Sequence, residues 1–325
     1  MKYDIIVLGS GPGGYVTAIR ASQLGFKVAV IEKENLGGVC LNWGCIPTKA
    51  LLKSANVFEY LNHASDYGIT VKEAKADFGA MIERSRGVAN GMSQGIQFLM
   101  KKNKIDVLKG NGVIKAGKKV AVTDNAGKTT EYAADKGVII ATGARSRQLP
   151  NLPQDGKKVI GYREALTLPS LPKKMVIVGS GAIGVEFAYF YGTLGTEVTV
   201  VEYLPNIVPI EDVDVSKQLE KSFKKAGINI MTNSSVEKVD TSGKGCVVTI
   251  KTAKGEMEFK GIFKIAKIEE FDDVANGHVF RNLKILSNRD LGITNIKPSE
   301  IVSIRVLGIN NLISQEWYIR NCTKI

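Results

Sequence analysis

Two cysteines, Cys40 and Cys45, stand close together in the segment Gly37-Gly38-Val39-Cys40-Leu41-Asn42-Trp43-Gly44-Cys45-Ile46-Pro47-Thr48-Lys49; Cys246 and Cys322 lie far from them. In a chain without a secretory signal, a lone close pair points to redox or metal chemistry more than to a structural staple. Zinc is disfavoured and no metal site is expected, because His63 and His278, the two histidines, are remote from the pair and from each other, so a tetrahedral ligand set is lacking. Pro47 suits the first turn of a helix, and a cysteine at a helix start has its thiolate stabilised by unpaired N–H groups. A redox disulfide is the expectation, with two buried unpaired thiols as the plainer alternative. Cys246, Cys322 and both histidines read as ordinary core or surface residues.

The elements around this pair come in duplicate. Tyr3 to Leu8 reads as a buried parallel strand, Gly9-Ser10-Gly11-Pro12-Gly13-Gly14 opens a helix to about Gly25, and Lys27 to Ile31 is a second strand ending in Glu32. The same order returns as Lys174 to Val178, then Gly179-Ser180-Gly181-Ala182-Ile183-Gly184, a helix to about Gly195, and Glu197 to Val201 ending in Glu202. From the third glycine to the acid is 18 residues in both copies. A Gly-x-Gly-x-x-Gly loop lets backbone N–H groups meet a pyrophosphate, and the later acid accepts from ribose hydroxyls, so the duplicate predicts two dinucleotide sites. A carboxylate at Glu202 repels a 2′-phosphate and predicts NAD rather than NADP at the second.

Between the copies, helices are expected over Pro47 to His63 and Phe78 to Lys104, an antiparallel excursion over Val107 to Tyr132, and a strand over Gly137 to Ala141 that ends in a tight turn at Thr142-Gly143-Ala144. Four prolines from Pro150 to Pro172 mark a joint. The expected units are 1–148, 149–260 and a tail, 261–325, of no recognisable pattern.

With 325 residues, a formal charge of +12, 44% hydrophobic and 23% charged residues, the composition excludes disorder, collagen and a coiled-coil rod. The Lys pairs are scattered and lack the arginine runs or aromatic ladder of a nucleic-acid groove. The apolar run Ile5 to Leu8 is too short for a signal peptide or a spanning helix, so no membrane or nucleic-acid partner and a cytoplasmic location are expected.

The segment from Gly37 to Leu52 resembles the redox-disulfide signature of the pyridine nucleotide-disulfide oxidoreductases, and its Ile46-Pro47-Thr48-Lys49-Ala50-Leu51-Leu52 ending is most similar to the members that oxidise dihydrolipoamide. Similarity runs from the N-terminus to about Glu258 and includes Ala141 to Ala144 and Gly179 to Glu186. The resemblance implies an α/β fold with two Rossmann-like nucleotide-binding domains, FAD in the first and NAD in the second. FAD would meet Gly9, Gly11, Gly14, Glu32, Lys49, Gly112, Thr142 and Gly143; NAD would meet Gly179, Gly181, Gly184, Glu202 and Val236. Cys40 would be the interchange thiol, Cys45 the thiolate against the flavin, and Lys49 and Glu186 an ion pair beside it. The implied partner is the lipoyl domain of a 2-oxo acid dehydrogenase acyltransferase, with a glutathione- or mercuric-type reductase, or an inactive nucleotide-binding remnant, as the alternative.

The resemblance stops near Lys260. No Gly-Asp pair follows, and His278 in Asn276-Gly277-His278-Val279-Phe280 does not match the family's base motif. The expectation is therefore that the interface domain, which makes these proteins homodimers, is missing, whether by frameshift, chimera, truncation or divergence, and that activity is impaired.

Overall fold

A computed structural model describes residues 2–146, 149, 151–261, 264–267 and 271–272. His278, Cys322, Pro150 and all but a few residues of the expected tail lie outside them.

The first βαβ unit is β1 (Lys2–Leu8), α1 (Pro12–Gln23) and β2 (Val28–Glu32). Two helices, α2 (Gly38–Trp43) and α3 (Cys45–Asn62), follow it almost without a break, and then comes the long α4 (Phe78–Lys102). β3 (Asp106–Lys109), β4 (Asn111–Lys115), β5 (Lys119–Thr123) and β6 (Thr129–Ile140) complete a sheet of order β3-β2-β1-β6-β5-β4. The expected antiparallel excursion is β4, β5 and the first half of β6. The same β6 strand then runs on parallel to β1, with Leu8 opposite Ile140.

This sheet is covered on both faces, which is why its strands are continuous apolar runs rather than alternating ones. Val7, Val28 and Val30 pack under Ala18 and Ala21 of α1 and Ile96 and Met100 of α4. Ile6, Leu8 and Ile31 pack under Ile114, Val120 and Val122 of the excursion.

After β7 (Arg145–Ser146), the second unit opens with β8 (Val159–Ile160) and the short helix α5 (Tyr162–Ala165). It continues with β9 (Lys174–Val178), α6 (Ala182–Thr193), β10 (Glu197–Val201), α7 (Val213–Lys225) and β11 (Asn229–Met231). An antiparallel layer of β12 (Ser235–Asp240), β13 (Cys246–Thr252) and β14 (Gly255–Gly261) follows. β15 (Lys264–Lys267), past the residue 260 at which the unit is expected to end, then inserts between β9 and β8 to give the parallel order β11-β10-β9-β15-β8. The last described strand, β16 (Phe271–Asp272), pairs antiparallel with β7.

The two units share one core. Leu51 and Ala55 of α3 are buried among Met175, Ile177, Phe187, Phe190 and Tyr191 of the second unit, and the Phe78 ring lies 6.2 Å from both Phe190 and Tyr191. Burying a side chain such as Leu51 contributes about 1.5–3 kcal/mol, so this seam is held as a core is held. Two polar contacts flank it: the Lys49–Glu186 ion pair and a 2.6 Å bond from the Tyr189 hydroxyl to Glu59.

Candidate active site

In both sheets the glycine loop lies at the carboxyl end of the central strand, where the strand order reverses and α/β folds bind ligands. The first loop turns at Gly9, whose φ of +98° belongs to the left-handed region; a Cβ there would strike the Ala141 carbonyl. A Cβ on Gly14 would strike the Gly9 carbonyl oxygen, and one on Gly184 the Gly179 carbonyl oxygen, so in both copies the third glycine lets the helix seat against the turn. Gly11 and Gly181 are the N-caps of α1 and α6, both extended, and no side chain caps either helix. Uncapped amides at a bare helix start fit a dinucleotide pyrophosphate.

Glu32 and Glu202 are both buried and bonded in the same way. Glu32 Oε2 accepts from the Ser10 amide at 3.0 Å and Ser10 Oγ at 2.5 Å, while Oε1 accepts from the Glu34 amide at 2.8 Å. Glu202 Oε2 accepts from the Ser180 amide at 2.9 Å and Ser180 Oγ at 2.6 Å, while Oε1 accepts from the Leu204 amide at 2.8 Å.

Thr142 and Gly143 are exposed just beyond β6, beside the Gly9 turn, and Gly143 has a φ of +73°. Gly112 stands below this edge, where a Cβ would strike Leu8 and crowd Ile31. Val236 stands apart: its side chain packs under the second sheet with Val176, Val178 and Val201, and its carbonyl accepts from Asn151 Nδ2 at 3.2 Å.

The cysteine segment is built onto the first loop. Gly37 donates its amide to the Ser10 carbonyl at 3.0 Å, and Gly38, with a φ of +62°, comes so near Gly11 that a Cβ would lie 2.6 Å from the Gly11 Cα. Cys40 is the third residue of α2. The sequence gives no hint of this one-and-a-half-turn helix, because its glycine start reads as a loop. Gly44, at φ −139° and ψ −118°, breaks the chain between α2 and α3, and Cys45 is the first residue of α3. The break folds the two thiols toward each other.

Cys40 hydrogen-bonds to the Cys45 sulfur. That bond, helped by the Lys49 ammonium one turn along α3, lowers the Cys45 thiol to about 7 against the opposing effect of burial. The same bond, with burial, pushes the Cys40 thiol up. Of the two thiols, Cys45 is therefore the readier to ionise. Lys49 is paired across the seam with Glu186 of α6, so the cation beside Cys45 is tethered to the second unit.

Two arginines that sequence reading missed flank this segment. The guanidinium of Arg86, from α4, lies 4.8 Å from the Trp43 ring centre, and that of Arg163, from α5, lies 5.1 Å from it. Arg86 also donates to the Asn42 carbonyl at 2.6 Å, and Arg163 to Glu34 at 2.9 Å. Guanidiniums over indole faces attract through the ring quadrupole. Neither arginine is near the cysteines in sequence, so no local pattern marks them. Ser10 and Ser180 were also missed, although their matching places in the two loops were a readable signal.

Residues 3–266 match the family described as pyridine nucleotide-disulphide oxidoreductase. The chain belongs to that family. Among its pyridine nucleotide-disulphide oxidoreductase relatives, dihydrolipoyl dehydrogenase of Zymomonas mobilis is 47% identical over 255 residues, 78% of this chain and 54% of that protein. The dihydrolipoyl dehydrogenase of Rhizobium etli is 44% identical over 272 residues, 79% of this chain and 56% of that one. Of solved structures, LpdA from Mycobacterium tuberculosis superposes with a TM-score of 0.72 at 29% identity, covering 82% of this chain and 58% of its own. The chain spans about half the length of the curated relatives it matches. Among the described residues no helix is long and apolar enough to cross a membrane.

Proposed function

We propose that the chain carries out the dihydrolipoyl dehydrogenase reaction: oxidation of dihydrolipoamide on the lipoyl domain of a 2-oxo acid dehydrogenase acyltransferase, through a Cys40–Cys45 disulfide and FAD, with NAD⁺ as final acceptor. The observation that carries this reading is the placement of Cys40 in α2 and Cys45 at the start of α3, on a helix break seated against a dinucleotide loop, with Lys49 beside the Cys45 thiol that it helps to lower. The 44–47% identity to proteins named dihydrolipoyl dehydrogenase supports it over a glutathione- or mercuric-type reductase. A cytoplasmic setting suits a working dithiol.

In this reading residues 1–148 hold FAD and the unit from 149, closed by β15, holds NAD. Gly9, Gly11 and Gly14 admit the FAD pyrophosphate, Glu32 its adenosine ribose, and Thr142 and Gly143 lie along the same edge; Gly179, Gly181, Gly184 and Glu202 do the same for NAD. Gly112 and Val236 act through packing.

A dihydrolipoyl thiolate attacks Cys40 Sγ of the disulfide, and Cys45 leaves as a thiolate. The second lipoyl thiol, deprotonated, attacks the lipoyl sulfur of the mixed disulfide and expels Cys40, which takes a proton. Lipoamide leaves oxidised and the protein holds two electrons as the dithiol. Cys45 is suited to leave because the Lys49 ammonium stabilises its charge, and the Cys40 S–H, once the second exchange has formed it, holds that thiolate afterwards. FAD, when bound, supplies the acceptor that takes these two electrons and delivers them as hydride to NAD⁺.

The test is NAD⁺ reduction by dihydrolipoamide in the full chain supplied with FAD. Cys40→Ser is expected to lower turnover at least about a thousandfold, since the attacked sulfur is gone, while flavin content stays unchanged. Turnover that survives the substitution, or a preference for glutathione over dihydrolipoamide, overturns the reading.

A further inference from the structure

Ser10 and Ser180 fill the variable second place of the two glycine loops, and both are fully buried. Each gives two bonds to one carboxylate oxygen, Oε2, of the acid that closes its βαβ unit. A third bond, from the Glu34 or Leu204 amide, holds Oε1. A carboxylate has about four acceptor positions, so three are filled and the open one is on Oε1. Two loops 170 residues apart agree in every partner and to about 0.1 Å in every distance, which marks a built arrangement rather than a chance serine.

We propose that Ser180 and Ser10 are positioning residues that clamp Glu202 and Glu32, so that each acid offers one acceptor, on Oε1, to an adenosine ribose hydroxyl. The Ser180 clamp further sets the preference for a nucleotide with a free 2′-hydroxyl over one carrying a 2′-phosphate. A glutamate has three side-chain torsions and, unclamped, swings its charge away from an arriving phosphate at small cost. Held by three bonds, it keeps the charge in place and the phosphate meets it. The clamp therefore acts twice, aiming the acceptor at a hydroxyl and denying an escape to the carboxylate. This inference rests on the dinucleotide reading of the second loop.

The experiment is equilibrium binding of NADH, NADPH and 2′-deoxy-NADH to the full chain and to its Ser180→Ala and Ser180→Thr variants by titration calorimetry. Loss of a charge-assisted bond is expected to raise the NADH Kd about tenfold in Ser180→Ala. NADPH binding holds or tightens, and 2′-deoxy-NADH binding stays unchanged, because it lacks the hydroxyl that Oε1 accepts. Ser180→Thr keeps the hydroxyl and restores the NADH preference. Equal weakening of NADH and 2′-deoxy-NADH reduces Ser180 to a packing residue and overturns the clamp. Failure of the unsubstituted chain to bind NADH overturns the nucleotide reading itself, and the clamp with it. Should Ser180→Ala not fold, Ser10→Ala reads the same device at the first loop, as flavin loss at least about fivefold faster than from the unsubstituted chain; an unchanged rate rejects it.

Discussion

The two nucleotide folds of this chain are copies at a fixed offset of 170 residues: α1 spans Pro12–Gln23 and α6 spans Ala182–Thr193, and Gly9, Ser10, Gly14 and Glu32 answer to Gly179, Ser180, Gly184 and Glu202. They part six residues after the acid. There the first copy has Gly38 at φ +62° and the second has Val208 at φ +41°. From Gly38 the chain enters α2 and the cysteine pair; from Val208 it crosses a short loop to the amphipathic α7, which starts at Val213 and carries no chemistry-bearing pair. A tie to the glycine loop is present in both but one residue out of step, since the Ser10 carbonyl accepts from Gly37 and the Ser180 carbonyl from Val208, both at 3.0 Å. The two copies agree from the first strand through the acid, and the segment after the second strand is a cysteine-bearing helix in one and a plain connection in the other.

The comparison is broken most severely at the third glycine. Gly14→Ala and Gly184→Ala each push a methyl into a carbonyl oxygen with no flexible side chain to give way, and each is expected to destabilise its unit by about 3 kcal/mol, the upper end of overpacking costs. The copies then separate: Gly14→Ala releases FAD and Gly184→Ala weakens NADH binding with flavin retained. Thermal melts with flavin quantitation and NADH titration check this; loss of both ligands in both variants would mean that the two sites are not independent.

A smaller effect sharpens what only the first copy has. With Cys45 lowered to about 7, about half of it is thiolate at pH 7, and its alkylation in the reduced protein should rise through that pH. Lys49→Met removes a cation that favours the charged form, so the midpoint moves up, and alkylation at pH 7 is expected to fall roughly fivefold, recovering as the pH is raised. Mass-spectrometric labelling of Cys45 against pH reads this directly. A midpoint that stays put assigns the lowering to the Cys40 bond alone.

The smallest effect concerns Val208. A β-branched residue at positive φ costs about 1–3 kcal/mol, and burying its side chain returns about the same. Val208→Gly, which copies the first fold at this position, should therefore cost less than about 1 kcal/mol, whereas Val198→Gly, in the regular strand β10 and also buried, should cost more than about 3 kcal/mol. Denaturant melts decide it.

Both βαβ units were legible because everything that makes them is local: an apolar run, a glycine turn, a second run and an acid at fixed spacing. The antiparallel excursion was legible for the same reason, its turns being marked by Asp124-Asn125 and Ala126-Gly127. β15 was not. Lys264-Ile265-Ala266-Lys267 has two apolar residues and becomes an interior strand only because it meets β9 and β8 across about a hundred residues of chain. The burial of Leu51 and Ala55 in the second unit was hidden likewise, since periodicity says which face of α3 is apolar and not which partner covers it. At the site, residue types disclosed the thiols and the carboxylates, and the matching loop places offered Ser10 and Ser180, while Arg86 and Arg163, which flank Trp43, are brought in by folding.

The place of Trp43 turns that last group into a gauge. Its indole is gripped by one guanidinium from each unit, Arg86 from the first and Arg163 from the second, and Arg163 is anchored in turn to Glu34. Any twist of one unit against the other drags a cation across the ring, so the emission of Trp43, read in a background without Trp317, registers relative rotation of the two halves within the very segment that carries Cys40.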